Sequence, residues 1–161
     1  MSRSVALAGA LLLSLLVSAT PQSAAAQAKP DLSGTWVLDH SQSVFGMMPA
    51  PASRTDLIEH KEPALTIHRT QTTPNGDVTV HLVYVVDGQP HVNDANGQQV
   101  TSSLAWDGMV LVITSNLTVP QGEVLIVDRM ALSEDGMTIN SQRTLSIGGQ
   151  EMVQTMVLRK Q

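Results

Sequence analysis

The side chains able to do chemistry are few, and most of them interrupt apolar runs. Read with the two-residue period of an extended chain, residues 123–132 place Asp128 on one face with Val124, Ile126, Met130 and Leu132. Arg143 shares a face with Met137, Ile139 and Leu145, and Tyr84 shares one with Val78, Val80, Leu82 and Val86. Arg69 and Gln71 stand beside Leu65 and Ile67 in the same way. Polar groups on a buried face must be hydrogen-bonded or paired. Asp128 and Arg143 are symmetric about the Asp135-Gly136 turn, so an antiparallel hairpin sets them opposite each other. Facing inward, they would orient a polar or anionic ligand head in an apolar pocket. Facing outward, they would be a surface ion pair, and the sequence leaves both orientations open.

The remaining chemistry is sparse. His40, His60, His68, His81 and His91 show neither His-x-His nor His-Glu-x-x-His spacing, so no metal site is assigned. His68 and His81 flank the Asn75-Gly76 turn and approach each other across that hairpin, not necessarily on one face. The seven methionines after Met1 are scattered, as fits a filler of irregular cores. There is no G-x-S-x-G, phosphate loop or dinucleotide fingerprint, so no catalytic residue is named and no cofactor is expected. The absence of Cys removes disulfides, thiol chemistry and Cys-ligated zinc. Two Trp, one Tyr and one Phe offer few stacking platforms for sugars or single-stranded nucleic acid. A net charge of −5 spread along the chain gives no footprint for nucleic acid.

These residues need a frame, and the punctuation supplies one. Asn75-Gly76, Asp87-Gly88, Asn96-Gly97, Asp107-Gly108, Asp135-Gly136 and Gly148-Gly149 separate β-rich segments about one strand long. Asn-Gly and Asp-Gly tolerate the positive φ that tight hairpins demand. The segments are 33–39, 54–60, 64–72, 77–86, 98–106, 109–118, 123–132, 137–146 and 151–160. They make an all-β, antiparallel up-and-down meander of 8–10 strands, and closure into a barrel removes its edges. One long loop, 41–53, carries Phe45, Met47 and Met48. It is a candidate flap over the barrel mouth, with Phe45 and Met47 as contacts for an apolar ligand.

The N-terminus reads differently. Arg3, an apolar run from Val5 to Val17 and the ending Ala26-Gln27-Ala28 are the parts of a secretory signal peptide. The run is short of the roughly 20 residues a membrane helix requires. Cleavage is expected after Ala28, leaving one domain over 29–161 and a periplasmic or extracellular protein without a membrane anchor.

The sequence Asp31-Leu32-Ser33-Gly34-Thr35-Trp36 carries Gly-x-Trp on the first strand, and Ala105-Trp106-Asp107-Gly108 and Leu132-Ser133-Glu134-Asp135-Gly136 follow. In these features the chain resembles small exported bacterial lipocalin-like proteins. The resemblance implies a calycin-type barrel with a basic residue, here Arg159, packed across Trp36 beside Gly34. It also implies binding of a ligand without naming one. The expectation is a carrier of a small hydrophobic or amphiphilic molecule, with Tyr84, Asp128, Arg143, His68, Phe45 and Met47 as candidate contacts. The alternatives are a barrel enzyme of isomerase or cyclase type using Asp128, His68 or Tyr84, and a protein-binding module using the 41–53 loop.

Overall fold

In the computed structural model the described residues are 28–161, except Asn96 and Gln121. The expected signal segment therefore lies outside them, save Ala28. Ten antiparallel strands follow: β1 (Gly34–Val44), β2 (Ser53–Lys61), β3 (Ala64–Thr73), β4 (Gly76–Val85), β5 (His91–Ala95), β6 (Gln98–Asp107), β7 (Val110–Val119), β8 (Gly122–Leu132), β9 (Thr138–Ile147) and β10 (Gln150–Lys160). They form one sheet in the order β4-β3-β2-β1-β10-β9-β8-β7-β6-β5. Every lateral neighbour is a chain neighbour except β1 and β10, whose pairing joins the two ends of the meander. The sheet curls until β4 and β5 come side by side, and no ladder among the described residues joins them. The result is a nearly closed calycin-like barrel with one open seam.

The two-residue period decides which side chains face inward. Trp36, Leu38, Ile58, Leu65, Ile67, Leu104, Leu111, Ile113, Ile139 and Leu158 form one buried cluster together with Leu32, which precedes β1. Leu32 and Trp36 have no exposed surface, and the Trp36 Nε1–H donates to the Leu32 carbonyl at 2.9 Å. The segment before β1 thus plugs one end of the barrel.

The basic residue over Trp36 is Lys160, with Nζ 5.2 Å from the ring centroid, and not the expected Arg159. The register sets Trp36 opposite Lys160 and Val37 opposite Arg159, and one step of register moves a side chain to the other face. Arg159 instead pairs with Asp39 (3.3 Å) and donates to Thr138 Oγ1 (2.9 Å). Gly34 has φ +141°, and a Cβ there would stand 2.7 Å from Lys160 Cε. Glycine at this position therefore leaves the lysine stem room to lie over the indole.

Two elements depart from expectation. β5 falls in the stretch between segments 77–86 and 98–106, where no strand is expected; among the described residues it pairs with β6 alone. The long loop is shorter than 41–53, because β1 continues to Val44 across an irregularity in its pairing with β10. Eight residues, Phe45 to Ala52, remain outside the strands.

Trp36→Ala removes the largest side chain of the cluster. It is expected to lower unfolding free energy by about 3–5 kcal/mol, read as a reduced urea midpoint with little change in slope.

Candidate functional site: a charged layer inside the barrel

Among the described residues five charged side chains point into the lumen. Arg54 and Asp56 are two residues apart on β2 and so share its inner face, and Asp56 stands directly opposite Arg69 of β3. Arg54 donates to Asp56 through Nε (3.1 Å) and Nη2 (2.6 Å), and Arg69 does the same at 2.9 and 3.0 Å. The Asp56 carboxylate is fully buried and gripped on two sides. Across the lumen, Asp128 of β8 opposes Arg143 of β9 and accepts a fork of 2.7 and 2.8 Å. The pair expected from the hairpin symmetry is present, and it faces inward. Parallel forks of this kind fix geometry as well as charge.

The charges respond to one another. Burial pushes the Asp56 carboxyl up, but the Arg69 and Arg54 charges outweigh it and hold it well below the usual carboxylate range. Burial, with the like charge of Arg69, lowers Arg54 to about 10, which leaves it protonated at neutral pH. Asp128 is likewise lowered: burial opposes its ionisation, and Arg143 more than compensates. Burial raises the Tyr84 phenol. A hydroxyl pair, Ser102 and Ser115 at 2.9 Å, is buried as well.

Two cavities meet at this layer. The inner one, about 170 Å³, is lined by Arg54, Arg69, Tyr84, Asp128 and Arg143 together with an apolar wall that includes Ile67, Val80, Leu82, Ile113, Leu117 and Ile126. The outer one, about 250 Å³, lies at the mouth beneath Phe45, Met48, Pro49 and Pro51, with Gln71, Gln154 and Met156 below. Arg54 and Arg143 line both. Each spends Nε and Nη2 on a carboxylate; among the described residues Arg54 Nη1 has only the Met156 sulfur, at 3.2 Å, a weak acceptor.

Of the residues expected at a site, Tyr84, Asp128 and Arg143 come together around the inner cavity, and Phe45 lies at the mouth. Met47 does not join them. It sits at the loop turn with 89 % of its surface exposed, and its neighbour Met48 turns inward instead. His68 is also outside the cavity: it is exposed on the outer face of β3, stacked on His81. Arg69 was legible only as a polar interruption, and Arg54 and Asp56 were missed. On β2 the outer face carries Leu57 and the inner face carries charge, which blurs the apolar alternation. Asp56 and Arg69 are nonetheless symmetric about the Glu62-Pro63 turn, the same signal that revealed Asp128 and Arg143.

Replacing Asp56 by Asn leaves one buried guanidinium, Arg54, and one partly buried, Arg69, without their counter-charge and is expected to cost about 3–5 kcal/mol. The wild-type carboxylate is favoured in the folded state. Its stabilisation is therefore complete above the unfolded carboxylate value, about 3.9, and is lost as pH falls from there toward the lower folded value. Urea midpoints measured from pH 7 to 2 should fall steeply in the wild type and less steeply in Asp56→Asn.

No protein-family model and no curated protein matches the chain. Solved structures do. The zebrafish ileal bile acid-binding protein complexed with cholic acid aligns at TM-score 0.57 and 16 % identity, covering 81 % of this chain and 98 % of its own. Lipid binding protein 8 of Caenorhabditis elegans gives 0.55 and 12 %, covering 81 % and 95 %. A secretory abundant heat soluble protein of Ramazzottius varieornatus gives 0.58 and 11 %, covering 80 % and 94 %. None of these is a bacterial lipocalin, so the likeness carries the broader fold and not the narrower group. At these identities what is shared is architecture: the fold is a calycin-like, nearly closed antiparallel β-barrel.

Proposed function

We propose that the protein is an exported carrier of a small amphiphile bearing one negative charge. The observation that carries this reading is the charge inside the barrel, where three guanidiniums, Arg54, Arg69 and Arg143, meet two carboxylates, Asp56 and Asp128. One positive charge is in excess, and a buried charge needs a partner. An anionic head between Arg54 and Arg143 would supply it, with the apolar part lying against Val80, Leu82, Ile113 and Ile126. That the zebrafish protein of similar fold holds cholic acid supports a ligand inside such a barrel.

Carriage is favoured over acid–base catalysis by the direction in which the interior groups titrate. A general acid or base works best near the operating pH, whereas Asp128 is pushed down and Tyr84 up. His68, the third candidate, stands outside the cavity.

The export reading rests on the signal-peptide pattern and on the resemblance to small exported bacterial lipocalin-like proteins. Intact mass of the protein recovered from a bacterial envelope is expected to match a chain beginning at Lys29. A mass retaining residues 1–28 would contradict export with cleavage.

The binding test compares dodecanoate with dodecanol as displacers of a fluorescent apolar probe from the mature protein. The acid is expected to bind at least ~10-fold more tightly, about 1.4 kcal/mol, and with reduced salt dependence because Arg54 is buried and Arg143 partly so. Equal displacement by the alcohol would remove the role assigned to the charge excess. Displacement by neither would remove the carrier reading.

A further inference from the structure

The outer face of the cavity wall carries a feature that the ligand site does not use. His68 of β3 and His81 of β4 are directly opposed in register. Their rings stack with centroids 4.1 Å apart and planes 10° from parallel, and both residues are exposed. The other three histidines are tied down: His40 to the Ala52 carbonyl, His60 to the Leu32 N–H and Glu62, and His91 to Asp87. Among the described residues no hydrogen bond holds either ring of the stacked pair.

We propose that His68 and His81 form a two-imidazole chelating site for a divalent transition cation such as Zn²⁺, Ni²⁺ or Cu²⁺. Directly opposed residues of an antiparallel pair have Cβ atoms about 4.5–5.5 Å apart, so both imidazoles reach one ion from a fixed backbone. Rotation of the two unrestrained rings out of the stack turns a nitrogen of each toward the metal. Imidazole suits zinc, nickel and copper, and water fills the remaining positions. The flanking residues Leu57, Thr66, Thr70, Thr79 and Val83 bring no cationic side chain to repel the ion, and the chain is acidic overall. The bound ion ties β4 to β3. Because β4 is one lip of the open seam and its inner residues Val80 and Leu82 line the cavity, the clip braces the wall from outside.

Isothermal titration of the mature protein with ZnCl₂ and NiCl₂ in chelator-free buffer tests this. One ion per chain is expected. His68→Ala and His81→Ala should each weaken binding at least ~10-fold, because losing either imidazole ends chelation. His91→Ala should stay within about twofold, and acidification should release the ion, since ligation requires neutral imidazole. The metal should also raise the melting temperature of the wild type but of neither pair variant. Both pair residues are exposed, so their variants are expected to fold, as circular dichroism would verify. Unchanged affinity in His68→Ala, loss of binding in His91→Ala, or one ion shared by two chains would each overturn the proposal.

Discussion

Charge placed inside a barrel must be neutralised inside it, and the paired arginines and aspartates are the constraint around which this structure is arranged. Taking an ion from water costs several kcal/mol even after relaxation, and only close pairing with good geometry offsets it. Asp56 meets that condition twice over, through Arg54 and Arg69, and Asp128 meets it once, through Arg143. The Asp56–Arg69 and Asp128–Arg143 pairs span adjacent strands, so each depends on register: a slip of one residue between β2 and β3, or between β8 and β9, would turn one partner toward solvent. The charged layer therefore specifies the strand pairing as much as the pairing holds the layer.

The cavity follows from how the two ends of the barrel are filled. At one end Leu32, Trp36, Ile58, Leu65, Leu104, Leu111, Ile139 and Leu158 pack as a solid apolar plug. Guanidiniums and carboxylates cannot fill space in this manner, because each must keep its partner at hydrogen-bond distance. The volume left around them is the inner cavity, which meets the mouth at Arg54 and Arg143. Phe45 to Ala52 cover that mouth as a Met- and Pro-containing loop, apolar toward the lumen through Phe45 and Met48. The same arrangement explains why the residues facing the opening are basic while the chain as a whole is acidic.

Much of this was legible in the sequence, because a β-meander writes its period and its turns directly into the chain. The turn dipeptides marked nine of the ten strands, and symmetry about Asp135-Gly136 located the Asp128–Arg143 pair. His68 and His81 proved directly opposed because the β3–β4 hairpin closes with Thr73 opposite Gly76, one residue earlier than a turn centred on Asn75-Gly76 implies. What escaped were features set by register or by composition against type. The choice of Lys160 over Arg159 is a single step of register between the first and last strands, which no local turn fixes. β5 is five polar-leaning residues stabilised by its neighbour and not by its own pattern. Arg54 and Asp56 were hidden because their strand places charge inward and Leu57 outward. Met47 and Met48 are adjacent in a loop without period, so only the fold distinguishes them.

The central claim is that an anionic head sits against Arg54 and Arg143 inside the barrel, and the protonation of a bound ligand reports on this directly. Carbon-13 NMR of carboxyl-labelled dodecanoate bound to the mature protein, followed from pH 8 downward, is the decisive measurement. A carboxylate held by buried guanidiniums stays ionised below its ordinary range. The account predicts a bound carboxyl resonance that does not titrate before the protein itself unfolds in acid. A bound resonance that titrates at the value of the free acid would place the head in solvent and contradict the account.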